Sequence, residues 1–317
     1  MIYDQIIIGA GITGLTAARR CTQSQKSVIV LEKSRGIGGR VATRRFDFRE
    51  GLADHGAIAL ELTDPTVRDA WQDILPQLSR QAAPATLTPP NTTLGGGMNS
   101  LPKALAEGLD IVKNHTTTRL HFENGLWHSQ NDEGVRHSAR NVIVTSPLPQ
   151  AAPLFKNHPE LAIEIENLAR EVGYRPLWTA FVMAPSDFVN IESFRGYQEY
   201  SHPVIQSLCE QSAKGLDKSE GIYVLHTTAP FTQTHLEANA EAIGACLREA
   251  LHDIAFDTSD VSLIPHRWRY AFAERPLGQK IWTSRAWPGL VLAGDFCLGS
   301  TIINAALSGL AASEILL

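Results

Sequence analysis

Cysteine is scarce in this 317-residue chain. Cys21, Cys209, Cys246 and Cys297 are its four, far apart and with no C-x-x-C pair. That pattern excludes a disulfide framework and fits the reduced thiols of a cytoplasmic protein. No apolar run approaches the roughly eighteen residues that a membrane span needs, so no membrane partner is expected. The first residues enter a strand pattern directly, so no leader peptide is expected. Positive charge is not in excess: 28 Lys and Arg stand against 33 Asp and Glu, a formal net charge of −5. A nucleic-acid partner is therefore not expected. The eleven histidines show no H-x-x-x-H or comparable spacing, and no metal site is expected. What is present, 44% hydrophobic and 19% charged residues, is an ordinary globular composition. The length suits two domains, or one domain carrying a large insertion.

The stretch that organises the rest is Tyr3 to Arg40. An apolar run, Ile6-Ile7-Ile8, leads into Gly9-Ala10-Gly11-Ile12-Thr13-Gly14, then a helical pattern through Leu15, Ala17, Ala18 and Cys21. A second apolar run, Val28 to Leu31, ends on Glu32. Strand, glycine turn, helix, strand and acid in this register form a dinucleotide-binding unit. Gly9 permits the tight turn, Gly11 lets backbone approach a pyrophosphate, and Gly14 lets the helix pack close to the strand. The phosphates would meet the free N–H groups and positive dipole of the helix starting near Ile12. Glu32 is placed to accept a hydrogen bond from an adenosine ribose hydroxyl.

A second glycine-arginine stretch follows, Lys33-Ser34-Arg35-Gly36-Ile37-Gly38-Gly39-Arg40. An NAD site has no need of it, whereas Arg40 could reach a pyrophosphate or a flavin-side group. Arg44, Arg45 and Arg49 read as a solvated basic face. Asp54-His55-Gly56-Ala57 reads as a turn re-entering the cofactor site. A helix is predicted over Thr63 to Leu78, with Asp64 as N-cap and Pro65 in its first turn. A loop is predicted over Ala82 to Thr93 and a short helix over Leu101 to Ala106. An antiparallel meander is predicted over Ile111 to Leu120 and Leu126 to Gln130. The strand Asn141 to Thr145 is stopped by Ser146-Pro147-Leu148-Pro149. Beyond it, helices are predicted over Leu161 to Val172 and Leu236 to Ile254, with strands over Trp178 to Met183 and Ile222 to Thr228. These do not alternate as a second dinucleotide unit would. They read as a mixed-sheet α+β substrate domain inserted into a Rossmann-type α/β domain.

The chain then returns. Leu290 to Asp295 is a strand ending in Gly294-Asp295, followed by a helix of small residues from Thr301 to Leu316. In a flavoprotein this Asp would hold a ribityl hydroxyl, and the helix N-terminus would face the flavin pyrimidine carbonyl. Both ends of the chain thus converge on one cofactor, which argues for FAD over NAD. Cys297 reads as a small buried residue.

Together these motifs resemble the FAD-dependent amine-oxidase superfamily. Four stretches resemble renalases within it: Lys33 to Arg40, His226-Thr227-Thr228-x-Pro230-Phe231, His266-Arg267-Trp268-x-Tyr270-Ala271, and Asp295-x-Cys297-Leu298 through Leu307-Ser308-Gly309. The resemblance implies a p-hydroxybenzoate-hydroxylase-like two-domain fold with non-covalent FAD. It implies oxidation of 2- or 6-dihydro isomers of NAD(P)H to NAD(P)+, with hydride transfer to flavin N5 and O2 as final acceptor giving H2O2. The cofactor-binding set it implies is Gly9, Ala10, Gly11, Ile12, Thr13, Gly14, Glu32, Lys33, Gly39, Arg40, Gly56, Ala57, Thr117, Thr145, Gly294, Asp295, Ile302 and Ile303. Residues 1–60, 95–155 and 265–317 would form the FAD domain, and 61–94 and 156–264 the substrate domain.

His226 would face the flavin across the pocket as the catalytic residue. Its other reading is a core histidine satisfied by a backbone carbonyl. Ile58 and Ala59 depart from the family pattern, which makes that part of the pocket less polar and removes a ring, and Asn304 stands at the helix end near the flavin where bacterial members have glycine. Two other functions stay open: a flavin amine oxidase or desaturase on another small substrate, and a non-catalytic nucleotide-binding relative.

Overall fold

The computed structural model describes residues 1–82, 91–185 and 196–317. The first strand, Ile2–Ile8, lies between Val28–Leu31 and Arg136–Val144, parallel to both. Ile111–Val112 adds in parallel beyond Val28–Leu31, and Leu290–Leu292 beyond Arg136–Val144. Trp282–Thr283 closes that side antiparallel. The expected meander is present as Thr117–Glu123 and Leu126–Asn131, paired onto the first half of Arg136–Val144. That last strand is therefore longer than predicted. One edge of it pairs with Ile2–Ile8 from Ser138 onward, while along the other edge its first half takes the meander and its last three residues Leu290–Leu292; Ile111–Val112 belongs to the parallel sheet alone.

Alternation along these strands sends side chains to two cores. Ile7, Val30, Ile143 and Val291 meet Leu15 and Ala18 of the helix Ile12–Gln23 and Leu310 of Ile302–Glu314. Ile6, Ile8, Ile29 and Val144 meet Trp127, Phe155, Leu161 and Ile165 on the other face. The N-terminal and C-terminal helices touch closely. A Cβ built on Gly309 would stand 2.4 Å from the Thr13 carbonyl oxygen, so only glycine permits this approach.

The predicted helix over Thr63 to Leu78 is broken. It runs over Pro65–Ala70, capped by Asp64, whose side chain accepts from the Val67 N–H. A 3-10 turn follows at Leu75–Gln77. Pro76 lacks an N–H and disfavours helical backbone at Leu75, which is enough to divide the run. Val67, Trp71, Ile74 and Leu78, within the stretch 61–94 assigned above to the substrate domain, pack into the first core. Of the loop expected over Ala82 to Thr93, residues 83–90 lie outside the described residues. Asn91–Leu94 is a strand, paired with Leu60–Glu61 and Arg80–Ala82.

The second sheet has five strands, in the order Tyr197–Glu199, Ile205–Glu210, Ile222–Thr227, Tyr174–Met183 and Ser262–Ala273. Every neighbouring pair in it is antiparallel. The mixed sheet of the molecule is thus the first one. One face of the second sheet carries Ala180, Val182 and Leu225 against Ile243, Leu247 and Leu251 of the helix Ala240–Asp253. The other carries Phe181, Val224 and Ile264 against Ala53 and Phe46. That second face is turned toward the dinucleotide half. Among the described residues no helix is long and apolar enough to cross a membrane.

Candidate functional site

The glycine turn has the shape its sequence predicts. Gly9 donates its N–H to the Leu31 carbonyl at 2.9 Å. A Cβ on Gly14 would lie 2.0 Å from the Gly9 oxygen, whereas one on Gly11 would meet nothing within 4 Å. The helix start is thus packed on one side and open on the other. Gly11 caps the helix with no side-chain hydrogen bond, so first-turn N–H groups at Ile12 and Thr13 have no intrahelical partner. The geometry suits a dinucleotide pyrophosphate. Gly39 lies over the helix start, its would-be Cβ 3.7 Å from the Gly11 Cα.

Glu32 is buried, and its carboxylate accepts from the Ala10 N–H and the Ser34 N–H, each at 2.8 Å. It therefore holds the turn as well as pointing at it, a role the sequence reading did not include. Its carbonyl accepts from the His115 N–H. Two buried polar atoms near this end, His115 Nε2 and Thr117 Oγ1, have no partner among the described residues. Unpaired buried polar groups of this kind are what a bound polar ligand relieves. Lys33 is exposed and reaches Gln150. Thr145 Oγ1 donates to the Ile8 carbonyl at 2.8 Å, tying two parallel strands at their carboxyl ends.

Arg40 joins the pieces. Its guanidinium donates to Asp295 through both terminal nitrogens, at 2.7 and 2.6 Å, and to the Ala271 carbonyl at 3.0 Å. Its own carbonyl accepts from the Ala57 N–H, and a Cβ on Gly56 would collide with that oxygen. Arg40 and Asp295 were each expected to face the cofactor; the structure pairs them with one another. Asp295 also accepts from Ser300 Oγ at 2.6 Å. Gly294 donates its N–H to Ser308 Oγ. Ile302 and Ile303 form the first turn of the last helix, capped by Thr301, with their own N–H groups outside the cap. Asn304 donates its amide to the Leu298 carbonyl at 3.0 Å and so closes the turn before this helix. Cys297 is buried, and burial pushes its thiol up to about 11.

Facing this cradle is a histidine row. His226, Thr179 and His266 stand opposite one another on three adjacent strands, so their side chains share one face of the second sheet. His55, from the turn after the strand Leu52–Asp54, fits between that face and the dinucleotide half. Its ring stacks on Trp268 at 5.3 Å and meets His266 edge-on at 5.0 Å. Trp268 Nε1 donates to the His55 carbonyl at 3.0 Å. Beneath lies a fully buried ion pair, Lys214 Nζ to Asp54 Oδ2 at 2.5 Å. The sequence places His55 in a turn that re-enters the cofactor site but gives no sign of its partners, and Lys214 carries no signal at all; only the tertiary fold unites them. Arg267 instead reaches Leu236 and Glu237 and ties the sheet to its covering helices.

The electrostatics favour neutral rings. Burial, then the neighbouring His266 and, more weakly, Arg44 and His226, lowers His55 to about 3, only partly opposed by the Ala53 backbone. Burial, then the Lys214 charge, lowers His226 to about 4. Burial, then Arg44, lowers His266. Among the described residues His226 Nε2 and His55 Nδ1 are buried without a partner.

A pH dependence follows. An unfolded histidine titrates near 6.5, so below that value the unfolded chain binds protons that the folded one refuses. The stabilisation is whole above about pH 7 and is lost as pH falls through 6.5 toward 4. The slope is about 1.4 kcal/mol per pH unit for each of His55 and His226. Urea midpoints taken between pH 7.5 and 4.5 should fall accordingly; a flat profile would mean that the rings accept protons while folded.

Residues 7–74 match the NAD(P)-binding Rossmann-like domain, and residues 86–317 match the family of flavin containing amine oxidoreductases. A pseudooxynicotine dehydrogenase of Pseudomonas sp is 29% identical over 110 residues, 34% of this chain. The match spans about a fifth of that relative's length, 21%. Among solved structures, a protein of Exiguobacterium sp. 255-15 described as a protoporphyrinogen oxidase superposes with a TM-score of 0.71. It shares 14% identity, with 98% of this chain and 97% of that one covered. An oxidoreductase of Methanosarcina mazei gives 0.67 at 14% identity, with 98% and 99% covered. At that identity the likeness is one of fold. With the family match spanning most of the sequence and the dinucleotide cradle intact, the chain belongs to the flavin containing amine oxidoreductases and is an FAD-dependent oxidoreductase.

Proposed function

We propose that this enzyme is a renalase-like oxidase of misreduced nicotinamide dinucleotides, converting 2- or 6-dihydro isomers of NAD(P)H to NAD(P)+ in the cytoplasm. When bound, FAD supplies the two-electron acceptor, which O2 reoxidises with release of H2O2. Gly9 to Gly14 would hold the pyrophosphate, Glu32 the adenosine ribose, and Thr117 the adenine through its backbone. Lys33, Gly39, Arg40, Gly56, Ala57 and Thr145 would line the cofactor's path. Gly294, Asp295, Ile302 and Ile303 would border its ring end, Asp295 with the acceptor capacity left beside Arg40. In this reading residues 1–60, 95–155 and 265–317 form the cofactor half and 61–94 and 156–264 the substrate half, apart from the strand Ser262–Ala273, which belongs to the second sheet, and Val67 to Leu78, which pack into the first core.

The observation that carries the reading is the partnerless Nε2 of His226, held on a neutral ring in the row with Thr179 and His266. A neutral imidazole can donate to a carboxamide carbonyl without placing a positive charge beside a ring that must become cationic. Hydride transfer needs positioning more than a strong acid or base. Ile58 and Ala59 are half-buried and bring no polar group, and the Asn304 amide is spent on the Leu298 carbonyl.

The test is anaerobic mixing of the yellow holoprotein with NADH, its 2- and 6-dihydro isomers and simple amines. Bleaching by a dihydro isomer at a rate far above the others supports the assignment. Bleaching by an amine alone would place the enzyme with the amine-oxidising members instead.

Glu32→Ala is expected to weaken FAD binding by about 1–3 kcal/mol through the lost ribose hydrogen bond. Ala10 and Ser34 would also lose their acceptor, so the turn should loosen as well. An FAD titration of the apoprotein checks this, and the visible spectrum of the remaining holoprotein should not change.

A further inference from the structure

The hairpin of Thr117–Glu123 and Leu126–Asn131 sends Leu120, Phe122 and Trp127 into the second core. Strand alternation then puts His121, Glu123 and His128 together on its outer face. His121 and His128 are direct cross-strand partners, with ring centroids 4.9 Å apart and planes 24° from parallel. His121 Nε2 stands 3.8 Å from Glu123 Oε2. One ligand atom from each of the three residues lies within 4.8 Å of the other two.

Two further features make this more than a chance cluster. His128 Nδ1 shares a 2.8 Å hydrogen bond with Ser138 Oγ, which fixes the ring and leaves its Nε2 free, as second partners of metal-binding histidines do. His121 Nδ1 is buried with no partner among the described residues, so the ring has a nitrogen in want of one. Glu123 is 65% exposed, which leaves the site open to solvent.

We propose that His121, Glu123 and His128 form a site for a divalent transition metal of the zinc class. Two imidazoles and one carboxylate suit Zn2+, Ni2+ or Cu2+ and disfavour Mg2+ and Ca2+, which take oxygen ligands. Water would fill the fourth position of a tetrahedral ion. Bonds of about 2.0–2.1 Å hold tetrahedral ligand atoms roughly 3.4 Å apart, so side-chain rotations of about 1 Å close the site. The sequence spacing gave no sign of it, because His128 reaches His121 only through the hairpin register. The ion would clip two strands together without touching the cofactor cradle.

Calorimetric titration of the chelator-treated holoprotein with ZnCl2, beside MgCl2, tests the site. One Zn2+ per chain and no Mg2+ binding are expected. Glu123→Gln and His128→Ala should each weaken Zn2+ binding by roughly tenfold or more, and His121→Ala with His128→Ala should abolish it. Glu123 is at an exposed strand end, so Glu123→Gln keeps the test valid even where a histidine variant fails to fold. Absence of Zn2+ binding, equal binding of Mg2+, or an affinity unchanged in Glu123→Gln and His128→Ala would overturn the proposal.

Discussion

Replacing Lys214 by alanine should destabilise the fold by about 3–5 kcal/mol, because it leaves Asp54 buried as an unpaired charge. Both side chains have no exposure, so water cannot take the place of the lost ammonium. The Asp54 carboxylate also accepts from Thr43 Oγ1 and the Met98 N–H. Its backbone N–H donates to Gln211, and the Lys214 carbonyl accepts from Thr93. The pair thus knots the turn carrying His55 to the second sheet. Urea denaturation of Lys214→Ala would measure the loss. Lys214→Met combined with Asp54→Leu should recover part of it, since an apolar pair removes the stranded charge. Recovery should remain incomplete, because Met98 and Thr43 would lose their acceptor, at about 1–3 kcal/mol. A single variant as stable as the wild type would show that the ion pair is not sealed from solvent.

His226→Ala is expected to lower the rate of flavin reduction by the true substrate roughly a hundredfold while FAD content stays unchanged. Loss of a group that orients the reacting ring misplaces it by about 1 Å, and that displacement alone is worth about this factor. The ring belongs to the second sheet and lies outside every dinucleotide motif, which is why cofactor retention should not follow activity. Its Nε2 has no partner to strand, so the melting temperature should barely move. Stopped-flow reduction and a thermal melt on the same preparation separate the two roles. A destabilised variant with a normal reduction rate would make His226 scaffold.

Local signals were read well where one short segment carries the whole instruction. The glycine turn, the Asp64 cap and the last helix are of that kind. The strand Ser262–Ala273 was missed although Trp268, Tyr270 and Phe272 alternate with Arg267, Arg269 and Ala271. Pro265 sits within it, which the sheet admits because this strand is its edge. The helix expected from Leu236 begins only at Ala240, since Asn239 caps it by accepting from Ala242. His55, Lys214 and the cross-strand histidines depend on register and on contacts between distant segments. No window of sequence contains that information, and composition does not substitute for it.

The close seating of Gly309 on Thr13 sets an order of events during synthesis. The helix Ile302–Glu314 begins 290 residues after the helix Ile12–Gln23 it covers. At ribosomal rates of about 5–20 residues per second, the interval is roughly 15–60 s. Through that time the apolar flank of the nascent cradle is bare, and Asp295 has not been made to meet Arg40. The flank of the glycine turn is therefore covered only by a segment made long after the turn itself, and the Arg40–Asp295 pair forms only once the residues just before that segment are made.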